Sequence, residues 1–485
     1  MWKIIAEREL RDHLQSTRFL VVAGVSTLLI VLSVWFGIAH YQARVAQHEQ
    51  AVQMMLDLAS EQTNWMTVSA AAFRAPDPME ILSNGVSSDI GRYSDIGTWR
   101  NVRLVRSEYA DDPMLAVFQF LDPTFVVMIV LSLIAILFTY NAVNGEKEGG
   151  TLKLAFANKL SRAEFILGKL TGSLLAVAAP IVISFLVGAV LLILLGVEMT
   201  ASHWGRYAFF VLVALLYTMC FMLMGVLVST LTHRSSVSFL ILLVVWITAV
   251  LIIPKAATML AGQAMPVPTA DEIESRLTSY SAQARNEQFA ELQKNMRERF
   301  RAAEGMKPEE RQEYFDQNRA KWMQQNDELR KATEQKIAEY SSRLYEDYYN
   351  QKSNQELLAF SLSKFSPASH FQLAAMKLSG TDTGLKKRYE DAMKTYKAQY
   401  SKFVEQKGGG FGMRFSFGRG SSGRVDLGAE QAAKINISEM PRFQDPVYSF
   451  GEAVTTSLFD LGLITLVNIL AFVGAFVAFL KFDMR

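Results

Sequence analysis

The sequence is short of the residues that usually carry chemistry. Of its 485 residues one is cysteine, Cys220, so neither an intramolecular disulfide nor a cysteine zinc cluster can form, and its place in an apolar run reads as a small packing group. The six histidines lack the i, i+4 pairing around a glutamate that a zinc hydrolase needs, and no nucleophile elbow is present. A search for a nucleotide loop finds only Gly168-Lys169-Leu170, without the preceding glycine spacing or the hydroxyl residue that holds magnesium. No catalytic residue, metal site or cofactor of its own is therefore expected. Any ATP and magnesium that power the molecule would sit in another subunit. Charge of one sign is scarce too: 49 Lys and Arg against 47 Asp and Glu leave a net charge of +2, which removes the bulk electrostatic case for nucleic acid.

Apolar residues are what the chain does have. Half of it is apolar and a fifth charged, too apolar for an ordinary soluble protein and too charged for one made wholly of spans, so the distribution must be uneven. Windows of about 20 residues, the length that crosses roughly 30 Å of hydrocarbon, pick out six transmembrane segments at 19–39, 123–142, 170–195, 207–231, 237–253 and 454–479. The first is too long for a signal-peptide apolar region and is read as an uncleaved anchor. The expected fold is an all-α polytopic membrane protein with an amphipathic interfacial helix over 1–18. In that helix Trp2, Ile4, Ile5, Leu10 and Leu14 alternate with Lys3, Glu7, Arg8 and Arg11.

Basic residues orient the frame. Lys3, Arg8, Arg11 and Arg18 precede the first span; Lys147, Lys153, Lys159, Arg162 and Lys169 fill the connection 143–169; Arg234 lies between the fourth and fifth spans; Lys481 and Arg485 fall in the tail. With six spans all four groups share one face, which the positive-inside rule assigns to the cytoplasm. Both termini, including the tail 480–485, are then cytoplasmic, while segments 40–122 and 254–452 lie outside, as expected for a bacterial inner membrane.

The larger outer segment is mainly helical. Ile273, Leu277, Tyr280, Ala284, Phe289, Leu292, Met296 and Phe300 recur at helical spacing, Gly305 and Pro308 punctuate, and a second helix follows to about Lys364. Short loop and long helices predict an antiparallel hairpin, either a stalk that docks a periplasmic partner or a bundle packed on itself. The glycine-rich tract 408–428 carries Arg414, Arg419 and Arg424 among aromatics, which suits either an anion-binding nest or a flexible linker. Segment 40–122 reads as a shorter mixed region with helical flanks. Within the last span Asp460 and Asn468 stand eight residues apart on a similar face. They either line a path or hinge, or serve structure, with Asp460 near the outer headgroups and Asn468 in an interhelical hydrogen bond.

The most informative stretch runs Asn144-Gly145-Glu146-Lys147-Glu148-Gly149-Gly150-Thr151-Leu152-Lys153-Leu154, then Asn158-Lys159-Leu160-Ser161-Arg162 and Leu167-Gly168-Lys169. It resembles the signature of type-2 ABC export permeases: an acidic Glu-x-Glu before Gly-Thr-Leu, a turn with Ser-Arg, then Leu-Gly-Lys entering the next span. Asn158-Lys159 stands where that family commonly has proline. The resemblance implies a coupling helix that docks on a separate ATPase through Glu146, Glu148, Gly150, Thr151, Leu152, Ser161 and Arg162. It also implies pairing with a second copy or a paralogue. A positive-inside loop explains the basic residues but leaves Glu146 and Glu148 without a role. Asp112-Pro113-Met114-Leu115-Ala116-Val117-Phe118, Ser366-Pro367-Ala368 and Ser379-Gly380-Thr381-Asp382 further resemble a bacterial subgroup with enlarged outer domains. Three functions fit this frame: ATP-driven export of a solute or lipid, mechanotransmission to a periplasmic partner without transport, and a non-transporting membrane scaffold.

Overall fold

The computed structural model describes residues 2–62, 65, 68, 70–96, 102, 104–111, 121–150, 161–407 and 435–481. Thr151 and Leu152, the landmark at 112–118, the glycine-rich tract 408–428 and the last tail residues 482–485 lie outside the described residues.

Helix α1 (Trp2–Leu14) is followed at once by α2 (Thr17–Ser60), whose start is fixed by Ser16, its hydroxyl accepting from the Phe19 amide at 3.2 Å. At 1.5 Å per residue α2 is about 66 Å long, roughly twice a bilayer core. The expected span 19–39 is thus only its first half, and the helix runs on to residue 60 because Gln, Glu, Met, Leu and Ala there remain good helix formers. Strands β1 (Ala70–Phe73) and β2 (Tyr93–Ile96) then pair antiparallel, Ala70 opposite Ile96 and Phe73 opposite Tyr93. The second span, α3, joins Pro123–Phe125, a π-helical stretch Val126–Leu131 and Ser132–Thr139. Asp122 caps it, accepting from the Phe125 amide at 2.7 Å.

The short α4 (Asn144–Glu148) precedes α5 (Arg162–Leu194), α6 (Ala201–Leu231) and α7 (Ser235–Ala264). Next come α8 (Ala270–Ala302), α9 (Pro308–Ser363), α10 (Pro367–Ser379), α11 (Leu385–Gln406) and α12 (Phe450–Lys481). Six of these helices, α2, α3 with α4, α5, α6, α7 and α12, are long and apolar enough to cross a membrane. The fold is an all-α polytopic membrane protein.

The chain divides into two compact units, one formed by 1–251 with 366–485 and the other by Ile252–Phe365. In the first, α6 is central and packs on α12, α3 and α10, with Phe210, Tyr217 and Phe221 fully buried. Tyr217 stacks on Phe371 of α10 at 4.6 Å. The outer segment expected at 254–452 is therefore not one body: α10 and α11 belong with the spans. The cause is the stripe Phe371, Ala374, Ala375 and Leu378 of α10, spaced i, i+3, i+4, i+7 and buried against the core of the spans. In the second unit α8 and α9 run antiparallel. Tyr280 stacks on Tyr340 at 3.9 Å and Arg299 sits over Trp322 at 5.0 Å, with the Tyr345 hydroxyl 3.3 Å from Glu274. This is the hairpin expected from the sequence.

Candidate functional site

One end of the first unit is built around α4, and its residues tie that short helix to the ends of the spans. Asn144 is buried, its Nδ2 donating to Thr232 Oγ1 at 2.9 Å, while the Ser229 hydroxyl of α6 donates to Asn144 Oδ1 at 3.1 Å. The ammonium of Lys147 donates to the carbonyl of Thr230 at 2.7 Å and lies 3.3 Å from that of Thr232. Cations at these carbonyls complete a helix C-terminus whose last acceptors have no partner inside the helix. The carboxylate of Glu148 in turn accepts from the Ser235 amide at 3.0 Å and its hydroxyl at 2.7 Å, capping the first turn of α7. Two acceptor-rich and donor-rich helix ends are thus joined through five residues of sequence.

Glu146 faces the other way. Lys169 of α5 stands 2.6 Å from Glu146 Oε1 and 2.8 Å from Glu9 Oε2 of α1, so one ammonium joins α4, α5 and α1. Burial alone would lift the Glu9 carboxyl. His13, at 3.3 Å, and the Lys169 ammonium outweigh it and hold that carboxyl below its usual range. Helix α1 lies against α5 at Gly168 and Gly172, where a Cβ would stand 2.6 Å from Ile5 Cβ and 2.7 Å from the Ala6 carbonyl oxygen. Glycine at i and i+4 lets the two backbones meet, the small-xxx-small device of membrane helices. Ile5 and Leu10 are half-buried there, while Trp2 and Leu14 remain exposed, which leaves an apolar edge for the membrane interface.

Ser161 caps α5, its hydroxyl accepting from the Glu164 amide at 3.2 Å. Arg162 donates to the carbonyls of Phe479 and Leu480 at the end of α12, beside the stacked rings of Phe165 and Phe479. Gly150 adopts a positive φ of 69° that favours glycine, so the chain can turn sharply as it leaves α4. Of the expected coupling residues, Glu146 meets α5 and, through Lys169, α1, Glu148 meets the start of α7 and Arg162 meets the end of α12, while Thr151 and Leu152 lie outside the described residues. The sequence reading missed Glu9, Gly172 and the carbonyl ties of Lys147; the G-x-x-x-G at 168–172 was the available signal.

The opposite end holds the other polar residues. Asp460 is buried, with His370 Nδ1 at 2.9 Å and Lys377 Nζ at 2.7 Å, because α10 brings both side chains onto α12. Asn468 donates to the Leu216 carbonyl of α6 at 3.1 Å, the interhelical hydrogen bond that was one of its two readings. Arg206, fully buried, reaches Asp77 at 3.4 Å. Glu80 pairs with Arg44 and lies 3.6 Å from Arg74; Glu108 has His40 and Arg92 each at 3.1 Å. Burial would raise the Glu80 carboxyl, but Arg44 and Arg74 hold it below its ordinary value. None of these groups forms a nucleophile with its base, and among the described residues no cluster of acids, histidines and cysteine could hold a metal ion.

A membrane-spanning helical frame, braced at one face by a short polar helix, defines the class: a polytopic membrane protein. The chain belongs to the ABC-2 family of transporter proteins, whose family model matches residues 3–484. It is similar to the "Probable ABC transporter permease protein NosY" of Stutzerimonas stutzeri, 40% identical over 82 residues, or 16% of this chain and 30% of the relative. That match spans under a third of the relative's length. The chain is thus a polytopic membrane member of that transporter family.

Proposed function

We propose that the chain couples ATP hydrolysis in a separate ATPase subunit to export of a solute or lipid across a bacterial inner membrane. In this reading α4 and α1 lie on the cytoplasmic side with both termini, and the ATPase, carrying ATP and magnesium, docks there. The chain pairs with a second copy or a paralogue, since six spans supply half of a two-fold translocation path. The observation that carries the reading is the convergence on α4. Glu146 joins α5 and α1 through Lys169, Asn144 and Lys147 hold the end of α6, and Glu148 holds the start of α7. Through these contacts a push on α4 reaches three spans and the interfacial helix at once.

Charge reversal of Glu146 and Glu148 to lysine tests this. It is expected to leave the spans folded and the ATPase bound, while ATP no longer alters hydrogen-exchange protection at the adjoining ends of α5, α6 and α7. An unchanged ATP response in that variant, or purification of the tagged chain from native membranes with no protein bearing a Walker A loop, overturns the proposal. A second reading, mechanotransmission to a periplasmic partner, is favoured by the unit Ile252–Phe365, a self-contained long hairpin. Stimulation of ATPase activity in liposomes by a partner protein instead of a solute distinguishes it from export.

A further inference from the structure

The end of α2 that outruns the bilayer forms one wall of a cavity of about 750 Å³, in the size class of small-molecule sites. Its apolar side is Met54, Met55 and Leu58 of α2 with Phe73 of β1, and Met54 and Leu58 are 66% and 60% exposed. Methionine and leucine left open on a helix face beside an aromatic ring make an adaptable apolar surface. Arg44, Arg74, Arg92 and Arg106 also line it, and no aspartate or glutamate is among the described residues that do.

The charges do not cancel. Four arginines stand against the two carboxylates they touch, Glu80 and Glu108, which leaves a surplus of two positive charges. Both carboxylates are buried behind the lining, holding Arg44, Arg74 and Arg92 in place. Arg106 is different: among the described residues it has no carboxylate partner, and its guanidinium rests over the ring of Tyr93 at 5.6 Å. Its backbone, at φ 59°, is the one non-glycine in the left-handed region among the described residues. A non-glycine residue held there points to a local structure that fixes it. The Arg92 amide donates to the carbonyls of Val105 and Arg106, at 3.0 and 3.2 Å, and clamps that turn against β2.

We propose that this cavity binds a single-chain anionic amphiphile, its acyl chain along Met54, Leu58 and Phe73 and its phosphate or carboxylate head on Arg106 and Arg92. Planar guanidinium groups suit the head because each can donate two parallel hydrogen bonds to such an anion. The proposal does not rest on ATPase coupling, since binding is read without nucleotide.

The test uses the full chain in nanodiscs of phosphatidylcholine, titrated calorimetrically with dodecyl phosphate, with dodecanol and inorganic phosphate as half-ligands. Saturable binding of dodecyl phosphate at one site per chain is expected, with both half-ligands weaker by about tenfold or more. Arg106→Glu and, separately, Met54→Asp should each weaken dodecyl phosphate by about tenfold while leaving the melting midpoint unchanged, since both side chains are exposed. Affinity unchanged from the natural chain in both variants means partition into the bilayer and overturns the site. Inorganic phosphate binding as tightly as dodecyl phosphate reduces it to a bare anion site and overturns the acyl half. A cavity that takes an acidic apolar peptide but no dodecyl phosphate is a protein-docking groove, and that also overturns the proposal.

Discussion

The two ends of the span-bearing unit weight their polar residues differently, although each pairs charges, Lys169 lying between Glu9 and Glu146 at the α4 end. At the α4 end, side chains hold helix termini: Lys147 reaches α6 carbonyls, Glu148 caps α7, and Arg162 reaches carbonyls at the end of α12. Glu148 and the glycines after it are exposed, and water can replace a lost partner there at little cost. At the opposite end the charged groups are paired with one another, each pair with at least one buried member: Asp460 with His370 and Lys377, Glu80 with Arg44 and Arg74, Arg206 with Asp77. Separating those pairs would strand a charge away from water, which costs several kcal/mol. One end is built so that its connections can be remade, and the other so that they stay. This asymmetry fits the coupling proposed for α4.

The sharpest way to break the contrast is to remove Asp460. Asp460→Leu leaves His370 buried without its acceptor and frees the Lys377 ammonium. Lys377 is 25% exposed and can turn to water, so the expected loss is about 3 kcal/mol, the low end for a broken buried pair. Thermal unfolding in detergent should show it, with hydrogen-exchange protection falling in α10 and unchanged in α1 and α4. Equal loss of protection at both ends would mean that the unit responds as one rigid block and that the contrast is empty.

A smaller effect is expected at α1. Gly172→Leu places a side chain where Ala6 and Glu9 already stand, and α1 must lift from α5. Overpacking of this kind costs about 1–3 kcal/mol, but α1 can move away as a unit, so most of the strain should appear as undocking. Protection is expected to collapse across residues 2–14 with little shift of the global melting midpoint. A large global shift with α1 still protected would show that the α1 contact is as integral as the Asp460 cluster.

Much of this was readable beforehand, and the reasons are physical. A span must be about 20 apolar residues long whatever it packs on, so all six were visible, as was the amphipathic edge of α1. Glu146 and Glu148 stood out because a positive-inside loop has no use for them. Segment 367–379 reads as part of the one large outer domain 254–452. Its Phe371, Ala374, Ala375 and Leu378 stripe was present in the sequence, but nothing local says that its partner is α6. The pairing of His370 with Asp460, 90 residues apart, has no sequence signal at all. Strand β1, Ala70–Phe73, has three alanines, residues with little strand preference, and is held by its partner and by its burial. The π-helical stretches at Val126–Leu131 and Ile247–Ile252 break the 3.6-residue period on which any face assignment depends.

The smallest expected effect is one of pH, and it concerns the end opposite α4. Glu108 accepts from the Ser88 hydroxyl at 2.7 Å, with His40 and Arg92 beside it. Burial alone would raise its carboxyl, but the His40 and Ser88 bonds and the neighbouring positive charge hold it down at about 2 against an ordinary 4.5. Because the folded value is the lower one, the unfolded chain binds more protons between the two. The Glu108 contribution is therefore complete above about pH 4.5 and is lost as pH falls towards about 2. Asp122 has the opposite sign: burial pushes its carboxyl up to about 6, so its contribution is present below its ordinary 3.8 and fades as pH rises through about 6. Glu108→Gln removes only the first of these. The gap in melting midpoint between the natural chain and this variant should be widest above about pH 5 and close steadily towards about pH 2, because the acid limb belongs to Glu108 alone. A gap that stays constant over that range would mean that Glu108 acts by packing and neutral hydrogen bonding, and that end would then owe less to charge than its paired arginines imply.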